Sequence, residues 1–365
     1  MRILHIINSL QTGGAEKLLL DIIPEMNQKE GFLVDIALLN GNESPFLKEL
    51  EKKINIKQIF KISSGSVYNP ILILKTLKYF KQYDIIHVHL FPSLYWVSIG
   101  KIVTNSKVKL IFTEHSTKNK RLNNKFFKIF DRFIYRSYEK IICISEPVKT
   151  SLISNNIVIS NKLIVIENGI SMDSIKQSVA ASRKSFEYNV TDVLMIMVAG
   201  FRKEKDHETV IKSLKSLPDN YKLILVGDGE RREELEKLIL HENIANRINL
   251  LGVRTDVYSL IKMCDISILS SHWEGFGLSA VESMACGIPL IVSNVEGLSE
   301  VVGDGALKFE KGNEKELAEK ISELFNDQKL KNDLKIKAQK RALLYDNNIM
   351  IAKYLELYKN LKKSC

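Results

Sequence analysis

Short apolar runs alternate with polar, glycine-bearing breaks along the chain, and the alternation predicts strands and helices in turn. Residues 2–7 read as a buried strand. Gly13 and Gly14 follow, then a helical run over 18–26. A second strand is expected at 32–39, helices at 46–51 and 70–80, and strands at 84–90 and 109–113. Residues 140–146 and 163–170 each read as a strand running into a turn. Residues 171–189 are polar without a clear period. The alternation then resumes, with strands at 193–199, 222–226, 248–251, 265–270 and 288–293, and helices at 230–241, 279–285, 314–326, 328–345 and 347–361. This is the pattern of two doubly wound α/β halves. It predicts a first domain over 1–170, a linker over 171–191, a second domain over 192–345 and a terminal helix over 346–365.

Composition changes this picture little. A chain of 365 residues is long for one domain, and 45% apolar with 26% charged residues is ordinary for a globular protein. Cys143, Cys264, Cys286 and Cys365 are far apart, which argues for reduced thiols in a cytoplasmic protein, with neither a disulfide framework nor a zinc site. The apolar run after Met1 and Arg2 is interrupted at Asn8, too soon for a signal peptide, and no stretch reaches transmembrane length without charges. The expectation is a soluble or peripheral protein.

Charge is unevenly placed. Residues 1–180 hold 25 Lys and Arg against 15 Asp and Glu, whereas 181–365 hold 28 of each, so the whole net charge of +10 lies in the first half. An anionic partner for that half, or simply solvated lysine-rich faces, accounts for it; nucleic acid is not expected, since no binding motif accompanies the charge. Residues 118–140 concentrate the effect. Lys118, Lys120, Arg121, Lys125, Lys128, Arg132, Arg136 and Lys140 interleave with Phe126, Phe127, Ile129, Phe130, Phe133, Ile134 and Tyr138. On a helix, Phe126, Ile129, Phe130, Phe133 and Ile134 form one stripe. Such a helix lies in an anionic membrane interface, or packs on a core with its basic face in solvent; the pattern alone leaves both open.

The candidate chemistry begins at residues 271–287, S-H-W-E-G-F-G-L-S-A-V-E-S-M-A-C-G. A strand ends there, two glycines turn the chain and a helix starts, which is where α/β sheets bind anions. Glu274 and Glu282 flank the turn. Carboxylates beside bare backbone donors suit a ligand with phosphates and hydroxyls, while Ser279 and Glu282 also read as a structural capping box. Residues 200–207, G-F-R-K-E-K-D-H, place Arg202 and Lys205 after another strand, as a diphosphate requires. His87 and His89 share a strand face, but no third metal ligand is near in sequence. His115 follows the 109–113 strand, at the end where ligands bind.

The string E-G-F-G-L, then Glu282 and A-C-G-I-P-L-I, resembles the signature of retaining GT-B glycosyltransferases of family four, the group 1 glycosyl transferases. I-N-S-L-Q-T-G-G-A-E-K at 7–17, D-I-I-H-V-H-L at 84–90, T-E-H at 113–115, V-I-E-N-G-I at 165–170 and the 252–257 segment resemble further parts of that family, so the likeness spans nearly the whole chain. It implies the GT-B fold, two Rossmann-like domains facing across a cleft that holds the active site. It implies transfer of a sugar from a nucleoside-diphosphate donor, a UDP-sugar, to a hydroxyl of a glycan or lipid-linked glycan, by front-face attack with retention, as in cell-surface polysaccharide synthesis. It assigns the donor sugar to Glu274 and the amides of Gly275, Phe276, Gly277 and Leu278, the ribose to Glu282, a sugar contact to His115, the phosphates to Gly14 and Lys205, and the base region to Arg254. The family carries Gly-Arg five residues before the lysine. Gly200 stands where that Arg would be, and Arg202 is two residues late, so Arg202 substitutes only if the loop lets it reach the same phosphate. No Asp-x-Asp occurs in the chain, and no metal or other cofactor is expected. The shifted arginine is also the one feature favouring a catalytically silent subunit that binds glycan or a partner transferase. A synthase of the sucrose or glycogen type is disfavoured by the short chain, and a nucleotide-sugar epimerase by the E-G-F-G string.

Overall fold

Two parallel sheets carry the fold. The computed structural model describes residues 1–11, 13–117 and 125–363, with nothing assigned to the side chains of Lys125 and Phe126. The first sheet contains β1 (Arg2–Ile7), β2 (Leu33–Leu38), β3 (Ile59–Lys61), β4 (Ile85–His89), β5 (Lys109–Glu114), β6 (Lys140–Cys143) and β7 (Leu163–Val165), in the order β3-β2-β1-β4-β5-β6-β7. The second contains β8 (Val193–Val198), β9 (Tyr221–Val226), β10 (Ile248–Gly252), β11 (Ile266–Leu269), β12 (Leu290–Ser293) and β13 (Leu307–Phe309), in the order β10-β9-β8-β11-β12-β13. Neighbouring strands are parallel in both sheets. Helices cover a parallel sheet on both faces, so its central strands are apolar throughout. Accordingly β1 is buried from Ile3 to Ile7, β8 from Val193 to Met197, and all of β11 and β12. This is the doubly wound α/β architecture expected from the alternation.

In each sheet the strand order reverses beside the first strand, between β1 and β4 and between β8 and β11. The loops at the carboxyl ends of such neighbours splay apart and leave room for a ligand. Gly14, Arg202, Lys205 and Glu274 follow strands at these two switch points, whereas His115 follows β5 and Arg254 follows the edge strand β10.

The chain divides into two compact units, Met1–Gly169 with Asn347–Cys365, and Ile170–Asp346. Residues 171–191, read as a linker, cluster with the second unit and carry a helix, Met172–Gln177, capped by Ser171, and a 3-10 turn, Arg183–Phe186. The chain passes between the units twice, at 169–170 and at 346–347. Ile170 bridges Asp346 within the second unit, and Gly169 lies against Asn347 within the first, where an added Cβ would sit 2.8 Å from Asn347 Oδ1. The helix Asn347–Lys363 buries Tyr354 and Tyr358 in the first unit.

Several expectations change in detail. The 328–345 run is a helix, Gln328–Ala342, that tightens into a 3-10 turn, Leu343–Tyr345. The 70–80 run splits likewise into Ile71–Leu77 and Lys78–Lys81. Thr12 of the first loop, Lys118, Lys120 and Arg121 of the basic stretch, and Cys365 lie outside the described residues. Cys143, Cys264 and Cys286 are free thiols. Among the described residues, no helix is long and apolar enough to cross a membrane.

Candidate functional site

In the second unit, β8 runs through Ala199 and Gly200 into the 3-10 turn Lys203–Lys205. The turn rests on the loop after β9, which comes close enough only because it is built of glycine. A Cβ on Gly227 (φ +142°) would lie 2.1 Å from Ala199 O, and one on Gly229 would lie 2.6 Å from Phe201 O. Phe201, wholly buried, anchors the loop, and its N–H donates to Asp228 O at 3.0 Å. Lys205 N–H donates back to Arg202 O at 3.0 Å. Arg202 is the extended residue just before the turn (φ −127°, ψ 155°), and Lys205 is the turn's last residue.

The loop after β11 is stitched onto this turn. Ser270 Oγ lies 3.0 Å from Lys205 O and 2.8 Å from Asp206 O, and His272 N–H donates to Glu204 O at 2.8 Å. That registration brings Lys205 Nζ into an ion pair with Glu274 Oε2. Ser271 Oγ reaches the same carboxylate oxygen at 3.3 Å, and Gly275 N–H donates to the other at 3.3 Å. Gly297 (φ +81°) packs beneath, where an added Cβ would stand 2.4 Å from Glu274 O. The helix Leu278–Ala285 then starts from Gly277 (φ +88°) with no side-chain cap, and Ala280 N–H turns back to Gly277 O at 3.0 Å. The expected capping box is therefore absent: Gly277, not Ser279, is the N-cap, and Glu282 falls beyond the capping position, 6% exposed. Phe276 is 1% exposed and packs edge-on against Tyr345 at 5.2 Å, so it offers its backbone rather than its ring. Arg254 spends its fork on Asp256, at 2.8 and 2.6 Å.

In the first unit Gly14 opens the helix Gly14–Asn27. The Glu16 carboxylate folds back over that end, where a Cβ on Gly13 would lie 2.3 Å from Glu16 Oε2. Beside it, the sheet register pairs His5 on β1 with His87 on β4, and His89 shares their face two residues on. His5 Nδ1 lies 3.0 Å from His89 Nε2, and His89 Nδ1 lies 3.2 Å from His115 Nε2. His87 bonds Tyr358 Oη at 2.6 Å through Nδ1 and Thr113 Oγ1 at 2.7 Å through Nε2. Burial disfavours the imidazolium form, lowering His5 to about 3, His115 to about 4, and His87 and His89 well below the ordinary value. His5 thus supplies the third histidine missing near His87 and His89 in sequence, and ligand atoms of the three lie within 4.8 Å of one another. Five of their six ring nitrogens are already hydrogen-bonded, however, and only His5 Nε2 lacks a partner. A cation would have to displace those bonds, so the cluster is wired as a hydrogen-bond network.

Comparison with known proteins covers both halves of the chain. The family model described as "Glycosyltransferase Family 4" matches residues 12–174, and "Glycosyl transferases group 1" matches 178–341. A glycosyltransferase of Methanocaldococcus jannaschii is 33% identical over 259 residues, 69% of this chain and 68% of its own. The chain belongs to the family 4, group 1 glycosyltransferases. A Campylobacter jejuni enzyme, N-acetylgalactosamine-N,N'-diacetylbacillosaminyl-diphospho-undecaprenol 4-alpha-N-acetylgalactosaminyltransferase, is 25% identical over 93% of this chain and 94% of its own. The crystal structure of Anabaena HepE in complex with UDP and glucose matches with a TM-score of 0.86 over 98% of this chain and 99% of that one, at 21% identity, and shares the GT-B fold.

In this glycosyltransferase the structure gathers Lys205, Arg202, Glu274, Gly275, Gly277 and Leu278 around the β8–β11 switch point, while Arg254 is tied to its own neighbour. His115 and Gly14 belong to the first unit. Sequence reasoning read Ser270 as strand, Ser271 as the first residue of the motif and Gly297 as part of a segment closing the pocket, and missed that they hold Glu274 and Lys205 in register. The sequence carries a usable sign for one of them, a glycine at the end of the loop after β12, just before the helix Leu298–Val302. That reasoning missed His5 as well.

Proposed function

We propose that this glycosyltransferase transfers a sugar from a UDP-sugar to a hydroxyl of a glycan or lipid-linked glycan, with retention at the anomeric carbon. The observation carrying the reading is the Lys205–Glu274 pair at the carboxyl ends of neighbouring strands, beside an uncapped helix N-terminus. Departure of UDP leaves charge on a phosphate oxygen. A fixed ammonium beside that oxygen stabilises it, and Arg202 adds a second cation on the same turn. Glu274 accepts from sugar hydroxyls and Glu282 from the ribose, while the amides from Gly275 to Leu278 admit close approach. In this reading lysine supplies the charge and no metal is required. The bond from the anomeric carbon to the phosphate oxygen breaks, the acceptor oxygen bonds to the same face, and its proton passes to the departing phosphate oxygen. UDP in the HepE complex and the diphospho-undecaprenol in the Campylobacter enzyme's name support the donor and acceptor classes, and with them a role in polysaccharide or glycoconjugate synthesis.

A lipid-linked acceptor calls for a peripheral position on the inner face of an anionic membrane. The helix Lys125–Arg136 supports it. Asp131, Ile134 and Tyr135 face the core, leaving Ile129 (65% exposed) and Phe133 (50%) outside with Arg132 and Arg136. The expected apolar stripe is therefore divided, with Ile134 inward and Ile129 and Phe133 outward.

The test is donor turnover. Wild-type protein should hydrolyse one UDP-sugar slowly without acceptor, release the sugar as the donor's anomer by NMR, and be unaffected by EDTA. Loss of nucleotide binding across a panel of nucleotides would sink the reading and favour the silent subunit.

A further inference from the structure

The hydrogen-bond line from His5 through His89 to His115 has one open end and one closed end. At the open end, His115 is half-buried rather than fully buried, and its bond to His89 uses Nε2, leaving Nδ1 with no partner among the described residues. At the closed end, His5 Nε2 is buried without a partner, inside a residue that is 0% exposed. The rings of His5 and His89 stack at 5.2 Å and 13°, so the line is held by packing as well as by its bonds.

A neutral imidazole has one donating and one accepting nitrogen. Three neutral rings joined by two bonds therefore have only two proton arrangements. In the first, His5 Nδ1–H donates to His89 Nε2, His89 Nδ1–H donates to His115 Nε2, and His115 presents Nδ1–H outward. In the second every proton sits on Nε2, and His5 buries an N–H with nothing to receive it. The first leaves a bare lone pair there instead. Orphaned buried N–H groups are the rarer defect in proteins. The partnerless end inside the sheet thus selects the form shown at the other end.

We propose that His5 and His89 are positioning residues that fix the tautomer of His115, so that His115 presents Nδ1–H as a hydrogen-bond donor to an oxygen of the substrate. This rests on the proposed function and on the sugar contact that the family resemblance implies for His115. His87 stands apart from the line. Tyr358 and Thr113 occupy both its nitrogens, and its ring packs at a tilt against those of His5 and His89, with centroids 4.8 and 4.3 Å away.

The decisive measurement is two-bond 1H–15N correlation of the histidine rings in the whole chain, with His115 assigned by comparison with His115→Gln. The proposal expects His115 protonated on Nδ1 in wild-type protein. A proton on Nε2 overturns it whatever the enzyme's activity, which separates this failure from failure of the proposed function. The second arm is kinetic. His5→Phe keeps a stacked ring and removes the donor. It should lower kcat roughly tenfold, the scale on which an orienting partner of histidine acts, while the UDP-induced melting shift and KM stay unchanged. His5→Asn places an amide N–H near the lost Nδ1–H and should restore kcat. A wild-type kcat in His5→Phe, or no rescue by Asn when both variants melt as wild type does, overturns the assignment. If His5→Phe does not fold, the wild-type ring spectrum decides alone.

Discussion

At the scale of single residues, the donor-side reading stands on Lys205 and Glu274 sharing one contact. Lys205→Ala should leave Glu274 without its cation and the departing phosphate without its stabiliser. Turnover should fall by about 10²–10³-fold, the usual cost of one well-placed charge-stabilising donor. Glu274→Ala should lose turnover comparably while UDP alone still raises the melting temperature, since the carboxylate is assigned to the sugar. Gly297→Ala tests the support beneath. Its positive φ costs about 1 kcal/mol or more for an L side chain, and the new Cβ would press on Glu274 O, so both stability and turnover should drop. Arg254→Ala is the contrast, because that guanidinium is already paired with Asp256 and a small effect is expected.

At the scale of elements, the adjacency of β1 and β4 makes stability depend on pH. The histidines there are held uncharged when folded but titrate near 6.5 when unfolded. Folding is therefore fully supported above that value, and the support is lost as pH falls below it, because the unfolded chain then binds protons the folded chain refuses. Each histidine contributes a slope of about 1.4 kcal/mol per pH unit below 6.5. The melting temperature should fall steeply between pH 6.5 and 5, and less steeply in His5→Phe. The helix Lys125–Arg136 gives another test. Flotation with vesicles of equal parts phosphatidylcholine and phosphatidylglycerol should be lost in Phe133→Ser with Arg132→Gln and Arg136→Gln; unchanged flotation would dismiss the membrane contact. Elements also show what the sequence displayed. The central strands were legible as apolar runs because both sheet faces are covered. The helix Ser93–Thr104 was not, since it has no side-chain cap and Ser93, Leu94, Tyr95, Val97, Ser98 and Gly100 bury several faces at once. Lys205 was placed after the strand by its spacing, but the extended backbone of Arg202 ahead of the 3-10 turn is not something spacing encodes. His5 looked like one polar residue in an apolar strand. Its partners sit on β4 and after β5, and only the sheet order brings them together.

At the scale of the whole molecule, each unit has its own sheet and buried core, and the proposed nucleotide contacts lie mainly in the second. UDP at a hundredfold excess over its Kd should stabilise the unit that binds it by about 2.7 kcal/mol. In a chain stopped before Asn347, the second unit should keep its UDP-dependent melting shift. The first, lacking Tyr354 and Tyr358 against His87, should lose cooperative melting. Loss of the UDP response in that truncated chain would show instead that the nucleotide site depends on the first unit.

The position of that helix also bears on how the protein is made. Domains tend to fold in the order in which they leave the ribosome. Here the first unit emerges early but its closing helix emerges after all of the second unit has been translated. The second unit can reach its native state during synthesis, while the first waits with its histidine face uncovered, and folding in the cell ends with the unit that began it.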